Sequence, residues 1–280
     1  MVSKAIYDIS VIIPFKDKSK MTLTAVASLL QYGPSLKEIF LVSNNSSDIE
    51  LQQIREGIKN YKNIQLLEYN RPFNYQKINN WAVQQTSGDY ILFLNNDTEL
   101  TKNSVGTIEH MYGLASKKDV GMVGCILLYG DGMTIQHAGV YLHPGSLGDH
   151  VYIGKPYKKA LAAANSPTDD FPYPINEDRK LTAVTGAVQL VEKKKFDVVQ
   201  GFDERFIIGG GDVDLCIRLN KAGYQTWIAH KGYIIHKESQ SRSHKPIPYV
   251  DFYYSYLSYI NGYDLKVGDP FVPKITKGMR

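Results

Sequence analysis

Cysteine is almost missing from this sequence: 280 residues contain two, Cys125 and Cys216. Each stands among apolar neighbours, in VGCILL and DLCIRL, where a small buried thiol is expected rather than a disulfide or a metal pair. That argues against a disulfide scaffold and suits a reducing compartment. No apolar run approaches the roughly 20 residues of a membrane span, and the apolar part of MVSKAIYDISVIIPF is too short for a secretory signal. The expected location is therefore cytoplasmic, at most peripheral at the inner face of the cell membrane. Internal repeats, low-complexity tracts and linkers between independent domains are absent as well. Charge is nearly balanced, with 32 Lys and Arg against 28 Asp and Glu for a net +4. The positive charges are scattered without a nucleic-acid-reading signature, so anionic small ligands suit the chain better than nucleic acid. VIIPFKDKSK also lacks the Gly-rich, basic phosphate loop of a nucleotidyltransferase.

What is present is an ordinary packed core, with 43% hydrophobic and 11% aromatic residues, enough for one large α/β domain or two small ones. Ile9–Phe15 is a continuous β-branched run of the kind buried on both faces of a parallel sheet. A helical pattern follows over Lys20–Tyr32 and stops at Gly33-Pro34. Ile39–Val42, Ile64–Leu67 and Tyr90–Leu94 read as further strands, separated by helical stretches opening at Asp48 and spanning Asn74–Thr86. This β-α-β-α-β-α-β rhythm predicts an open, doubly wound, mostly parallel α/β sheet. Such sheets bind ligands beyond the carboxyl ends of their strands. SNNSSD at 43–48 and NND at 95–97 both sit at such ends, although Asn and Asp there also suit plain turns.

The second half is less regular. Val120–Leu128 and Ile135–Leu142 read as strands, and residues 145–179 as a long loop of the kind that often serves as a lid. Order returns at Thr182–Val191, with a helix over Lys193–Val199. Gly209-Gly210-Gly211 then releases the backbone before an amphipathic helix that begins at Asp212.

VIIPF, FNYQKINN, GDYILFLNND, IQHAGV, AVTGA, GFDERF, DVDLCIRLNKAGY and HKESQSR stand in one order between Ile9 and Arg242. In that order the chain resembles the family 2 glycosyltransferases, inverting enzymes of the GT-A fold that use nucleotide sugars. The similarity is greatest to the bacterial branch that builds surface polysaccharides, rhamnosyltransferases included. The resemblance implies transfer of a sugar from a UDP- or dTDP-linked donor, dTDP-rhamnose among them, to a growing cell-surface glycan or lipid-linked oligosaccharide. The competing reading is a catalytically silent nucleotide-sugar-binding or scaffold module of a glycan-assembly complex.

The resemblance also implies roles for single residues. A divalent cation, Mn2+ or Mg2+, would sit on the donor diphosphate, held by Asp97 as the last acid of a DxD-type motif and by His236. Asn95 takes the place of that motif's first acid, with Asn96 between them, so the site carries one formal charge fewer than the usual pattern. A satisfied histidine at a strand end is the plainer reading of His236. Arg242, with Ser239 and Ser241, would close over the diphosphate. Asp212 matches the general base, although a helix cap is an equally simple use of an Asp there. Pro14, Phe15, Lys16 and Asn80 match positions that line the nucleotide pocket. Ser43 replaces the acid that usually accepts the base N3–H, leaving that bond to a hydroxyl or to the amide of Asn45.

The expected division is a catalytic domain over 1–245, with a nucleotide-binding half at 1–100 and an acceptor-binding half at 101–245, followed by an aromatic helix and tail at 246–280. In YVDFYYSYLSYINGY, Val250, Tyr253, Leu257 and Ile260 form one stripe, and Phe252, Tyr256, Tyr259 and Tyr263 its neighbour. One of these faces is expected to pack on the chain itself or on a second copy in a homo-oligomer, with a membrane surface the weakest option.

Overall fold

Apolar strands without alternation need cover on both faces, and the computed structural model provides it. It describes residues 6–142, 148–168, 170–237, 246–262 and 269–271, the side chains of 260–262 excepted. The first half alternates as its rhythm predicts: β1 (Ile6–Phe15), α1 (Ser19–Tyr32), β2 (Ser35–Ser43), α2 (Asp48–Ile58), β3 (Ile64–Glu68), α3 (Tyr75–Val83) and β4 (Tyr90–Leu94). There follow β5 (Thr98–Glu99), α4 (Thr107–Ala115), β6 (Val120–Leu128), β7 (Ile135–His137), β8 (Val140–Tyr141), β9 (Asp149–His150) and α5 (Tyr157–Ala163). The remainder is β10 (Arg179–Leu181), β11 (Val188–Glu192), α6 (Lys193–Val198), α7 (Gly211–Lys221), β12 (Gln225–His236) and α8 (Tyr249–Gly262).

The main sheet runs β3-β2-β1-β4-β11-β6-β12-β10, with β5 added to β12 and β7 to β6. β1 to β4 are mutually parallel. β11 enters antiparallel between β4 and β6, and β12 lies parallel to β6. Alternate residues of β1 supply the two faces: Ile9, Val11 and Ile13 pack with Leu29, Ile54 and Met111, and Ile12 packs with Ile78, Phe93 and Leu215. This is why the run reads as continuously apolar. Cys125 and Cys216 are both buried and free; burial pushes the Cys216 thiol up to about 12, so both behave as packing residues.

Three expectations need correction. Ile135–Leu142 is two short strands rather than one, because the chain turns at Gly139 with φ 110. The 145–179 segment carries β9 and α5 in its described part. It builds a third core from Val151, Tyr152, Phe171, Tyr173 and Ile175 against Ile126 and Leu128, so it is a packed insertion rather than an open loop. In α8 neither stripe faces inward as a whole: Tyr259 of the second is buried with Asp251 and Ser255, while Phe252 and Tyr256 beside it, Tyr253 of the first and Tyr249 are exposed. Tyr263 and the Ile260 side chain lie outside the described residues.

The helix does dock on its own chain, as one of the expected alternatives had it, through Tyr259, which joins the core that holds Val140 and Val213, and through polar contacts. Ser258 donates to Asp214 at 2.6 Å. The Asp251 carboxylate accepts the backbone N–H groups of Ile207, Ile208 and Gly209 at 2.7, 2.9 and 2.8 Å. From the other side, Asn74 caps α3 by accepting from Lys77 N and donates to Glu204 O and Phe206 O. The segment before α7 is thus held between two helices.

Removing the acceptor strands three backbone donors, each a loss of about 1–3 kcal/mol when buried. Asp251→Ala is therefore expected to lower the urea-unfolding free energy by about 3 kcal/mol or more. A loss under about 1 kcal/mol would show that water replaces the carboxylate without penalty.

Candidate active site

β4 ends because its backbone turns: Thr98 returns both its N–H and its hydroxyl to Asn95 O, at 3.2 and 2.7 Å. The turn reading of NND is therefore right locally, and the turn also delivers a side chain. β5 pairs with the end of β12, Thr98 opposite His236, and Lys237 N donates to Asp97 O at 2.9 Å. Strand pairing thereby sets Asp97 Oδ1 3.0 Å from His236 Nε2, both side chains under a tenth exposed. Gln136 Oε1 lies 2.7 Å from His236 Nδ1, and a carbonyl acceptor there places the imidazole proton on Nδ1. The lone pair of Nε2 then faces Asp97 Oδ1, a buried oxygen with no hydrogen-bond partner among the described residues. Two electron-rich atoms at this separation need a proton or a cation between them. An imidazole nitrogen beside a carboxylate oxygen suits a divalent ion such as Mn2+, so these residues fit the metal that the sequence implied.

Asn95 turns its amide nitrogen to His236 Nε2 at 3.5 Å, and Asn96 ties the turn to α1 through Thr22 at 3.1 Å. Tyr75 at the start of α3 has its hydroxyl 3.2 Å from Asn95 Oδ1 and 3.1 Å from Gly186 O, its one proton shared between them. Burial, with the charges of Asp212 and Asp97 nearby, raises this phenol well above its usual value, so it stays a neutral donor.

Asp212 sits in the first turn of α7. The cap position itself is Gly210, at φ 81, a conformation that strains any other residue. A Cβ on Gly211 would come within 2.4 Å of the Gln76 side chain. Asp212 accepts Gly186 N at 2.7 Å and Val213 N at 2.9 Å. Asp212 is therefore not the cap residue, although its carboxylate satisfies one N–H of the first turn, and the glycines serve close packing rather than looseness. Asp214, by contrast, is structural: it accepts from Arg218 at 2.7 Å and from Ser258.

A crevice of about 650 Å³ brings together Pro14, Phe15, Lys16, Asn95, Asn96, Asp212 and His236, with Asp97 joined to it through His236. Other predicted residues lie elsewhere. Ser43 is fully buried and its hydroxyl accepts from Ser46 N at 3.4 Å. Asn45, at φ 54, is exposed and donates to Arg71 O. Asn44, not singled out from the sequence, lines the crevice instead, its amide fixed by Tyr69 O and Arg71 O. Asn80 lines an adjoining hollow of about 490 Å³, where it braces Phe202 from both backbone groups. Arg242, Ser239 and Ser241 lie outside the described residues. Sequence reasoning also passed over Gln136 and Tyr75, although both stand inside quoted motifs, IQHAGV and FNYQKINN; for Gln136 a polar residue between Ile135 and His137 in a buried strand was the available signal. Asp251 had a similar one, a lone acid in an aromatic helix.

Residues 10–169 match the sequence model of a family described as Glycosyl transferase family 2. The chain is 37% identical over 271 residues to the O-antigen biosynthesis protein RfbC of Myxococcus xanthus, covering 96% of this chain and 20% of that protein. It is 30% identical over 245 residues to the uncharacterized protein y4gI of Sinorhizobium fredii (strain NBRC 101917 / NGR234), covering 86% of this chain and 25% of that one. The chain thus spans a fifth to a quarter of the length of the curated relatives it matches. Among solved structures it resembles GalNAc-T7 with UDP, GalNAc and Mn2+, at TM-score 0.64 and 15% identity over 84% of this chain and 44% of that one. It also resembles S. aureus TarS 1–349 with UDP-GlcNAc, at TM-score 0.61 and 15% identity over 92% and 68%. A third likeness is to a Pyrobaculum calidifontis mannosyltransferase with GDP-Man and Mn2+, at TM-score 0.57 and 13% identity over 86% and 61%. These identities speak for the fold alone, and the GT-A architecture expected from the sequence is the one observed.

Gln136 holds the ring that would ligate the cation, and such outer partners are worth about 10–100-fold in metal affinity. Gln136→Leu should weaken Mn2+ binding by about that factor while leaving the unfolding midpoint nearly unchanged. Unaltered Mn2+ affinity in a titration would show that His236 needs no orienting partner.

Proposed function

This chain belongs to glycosyl transferase family 2, and from that premise we propose that it is a metal-dependent, inverting glycosyltransferase that extends a cell-surface glycan from a UDP- or dTDP-linked sugar. One observation carries the reading: Asp97 Oδ1, buried and without a hydrogen-bond partner among the described residues, faces His236 Nε2 at 3.0 Å in the crevice wall. The acceptor class rests on the relative in O-antigen biosynthesis, and the cation on solved relatives that hold Mn2+. The division into a nucleotide half at 1–100 and an acceptor half at 101–245, with the tail at 246–280, belongs to the same proposal. Among the described residues no helix is long and apolar enough to cross a membrane.

Asp97 and His236 would hold the cation, which when bound supplies positive charge against the diphosphate as it leaves. Pro14, Phe15, Lys16 and Asn44 line the part of the crevice next to the ends of β1 and β2 and would hold the nucleotide. Asp212 takes the proton of the acceptor hydroxyl. The acceptor oxygen then bonds to the anomeric carbon from the face opposite the leaving group. The bond from that carbon to the diphosphate oxygen breaks, and the nucleoside diphosphate departs with the electron pair. Gly186 N and Val213 N fix both carboxylate oxygens of Asp212, so the base needs no rearrangement. The hydroxyl of Tyr75, within reach of Asn95 and of Gly186, connects the cation end of the crevice to the base end.

A panel of UDP-, dTDP- and GDP-sugars should raise the melting temperature only with Mn2+ present, because a ligand specific to the folded state stabilises it. Asp97→Ala and His236→Ala are expected to abolish that dependence on the cation. Equal stabilisation of wild type and both variants, with and without chelator, would sink the metal reading. Asp212→Asn should retain donor binding and lose about 10²-fold or more in turnover; nearly intact turnover would leave Asp212 as a packing residue only.

A further inference from the structure

A second cluster of ligating side chains lies away from the crevice. His110 on α4, His230 on β12 and Asp178 just before β10 bring one ligand atom each within 4.8 Å of one another, and none of the three lines the crevice. His110 Nε2 is 2.8 and 2.9 Å from the two Asp178 oxygens. His230 Nδ1 is 2.7 Å from Oδ1, and the His230 backbone N–H donates to the same oxygen at 3.1 Å. Among the described residues the two imidazoles are the only basic side chains that pair with Asp178.

The backbone is shaped to make this meeting. β12 pairs with β6 up to Ala229 opposite Cys125 and resumes at Ile234 opposite Leu127, so residues 230–233 bulge against Ile126 alone. Gly232 takes φ 72 within the bulge. Thr107 donates its hydroxyl to Lys231 O at 2.6 Å, and Ser104 donates to Tyr233 O at 2.6 Å. The bulge is therefore seated on the start of α4. His110 lies three residues beyond Thr107 and shares its helix face, which aims it at His230.

We propose that His110, Asp178 and His230 form a second metal site, specific for a first-row divalent transition ion, with Zn2+ the best match. Two imidazole nitrogens and one carboxylate oxygen, with water in the fourth position, make a tetrahedral zinc set; Mg2+ and Ca2+ prefer oxygen ligands throughout. The side chains are 29, 21 and 36% exposed, sheltered yet open to that water. Bonds of about 2.0–2.1 Å place tetrahedral ligands about 3.3 Å apart. The nitrogens and the carboxylate therefore separate by about half an ångström as the ion replaces the two imidazole protons now shared with Asp178. The ion ties α4 and β12 to the end of the 148–178 insertion, where Asp178 leads into β10, and so acts as a structural clasp.

The test is Zn2+ titration of the chelator-stripped full chain, by calorimetry and thermal unfolding, on three proteins. Wild type and an Asp97→Asn/His236→Ala variant should each bind Zn2+ at this site with a raised melting temperature. A His110→Ala/His230→Ala variant should lose that binding by about 100-fold or more. X-ray absorption at the zinc edge of the wild-type complex, which requires no variant to fold, should show two imidazoles in the first coordination sphere with one carboxylate and one water. Zinc affinity that follows the Asp97 and His236 substitutions, or wild type that binds no Zn2+, overturns the proposal and leaves the trio as a hydrogen-bonded clasp.

Discussion

The site depends on a pairing two residues long. Thr98 and Glu99 lie antiparallel to Ile235 and His236, and this short ladder brings the end of a central parallel strand beside the end of a strand made much later in the chain. β12 can reach that position because β6 pairs with it at both ends of the bulge. Side-chain chemistry enters only after the backbone has fixed the register. A slip of one residue would turn His236 to the other face of the sheet, and the lone pair on Nε2 would lose its counterpart on Asp97.

The other end of the crevice is built on a different principle. Residues 207–209 belong to no strand, so their backbone donors cannot be satisfied by a ladder. The Asp251 carboxylate takes three of them, while Asn74 holds the carbonyls of Glu204 and Phe206. A glycine-rich stretch is often read as a hinge. Here Gly210 is needed for its positive φ and Gly211 for the approach of Gln76, and the result is a fixed platform for Asp212. Rigid placement is what the general base proposed at Asp212 would require, since misplacement by an ångström is costly.

The doubly wound half was legible because burial on both faces writes itself as unbroken apolar runs, as in Ile9–Phe15 and Tyr90–Leu94. The insertion was not. Its core is assembled from Tyr152, Phe171, Tyr173 and Ile175, spaced without period because short, separate pieces rather than one long element present them. The tail misled for a related reason: hydrophobic spacing marks a stripe, but here the docked face combines Asp251 and Ser255 with the single aromatic Tyr259. In the candidate site, Asp97, Asp212 and His236 were singled out through an ordered set of motifs, whose spacing alone would have left each a turn, a cap or a satisfied ring. Gln136 and Tyr75 went without a role because an orienting hydrogen bond exists only in three dimensions.

Asp251 has a consequence for the order in which the protein comes into being. Synthesis proceeds from the N-terminus, and domains fold as their segments become available. Asp97, Asp212 and His236 are all made before residue 251. Until that carboxylate arrives, three donors of the loop before α7 lack their acceptor and Asp212 lacks its platform. The nascent chain thus acquires β1 to β4 well before Asp212 is settled, and the geometry of the crevice is completed late, by a residue outside every motif that carries the family resemblance.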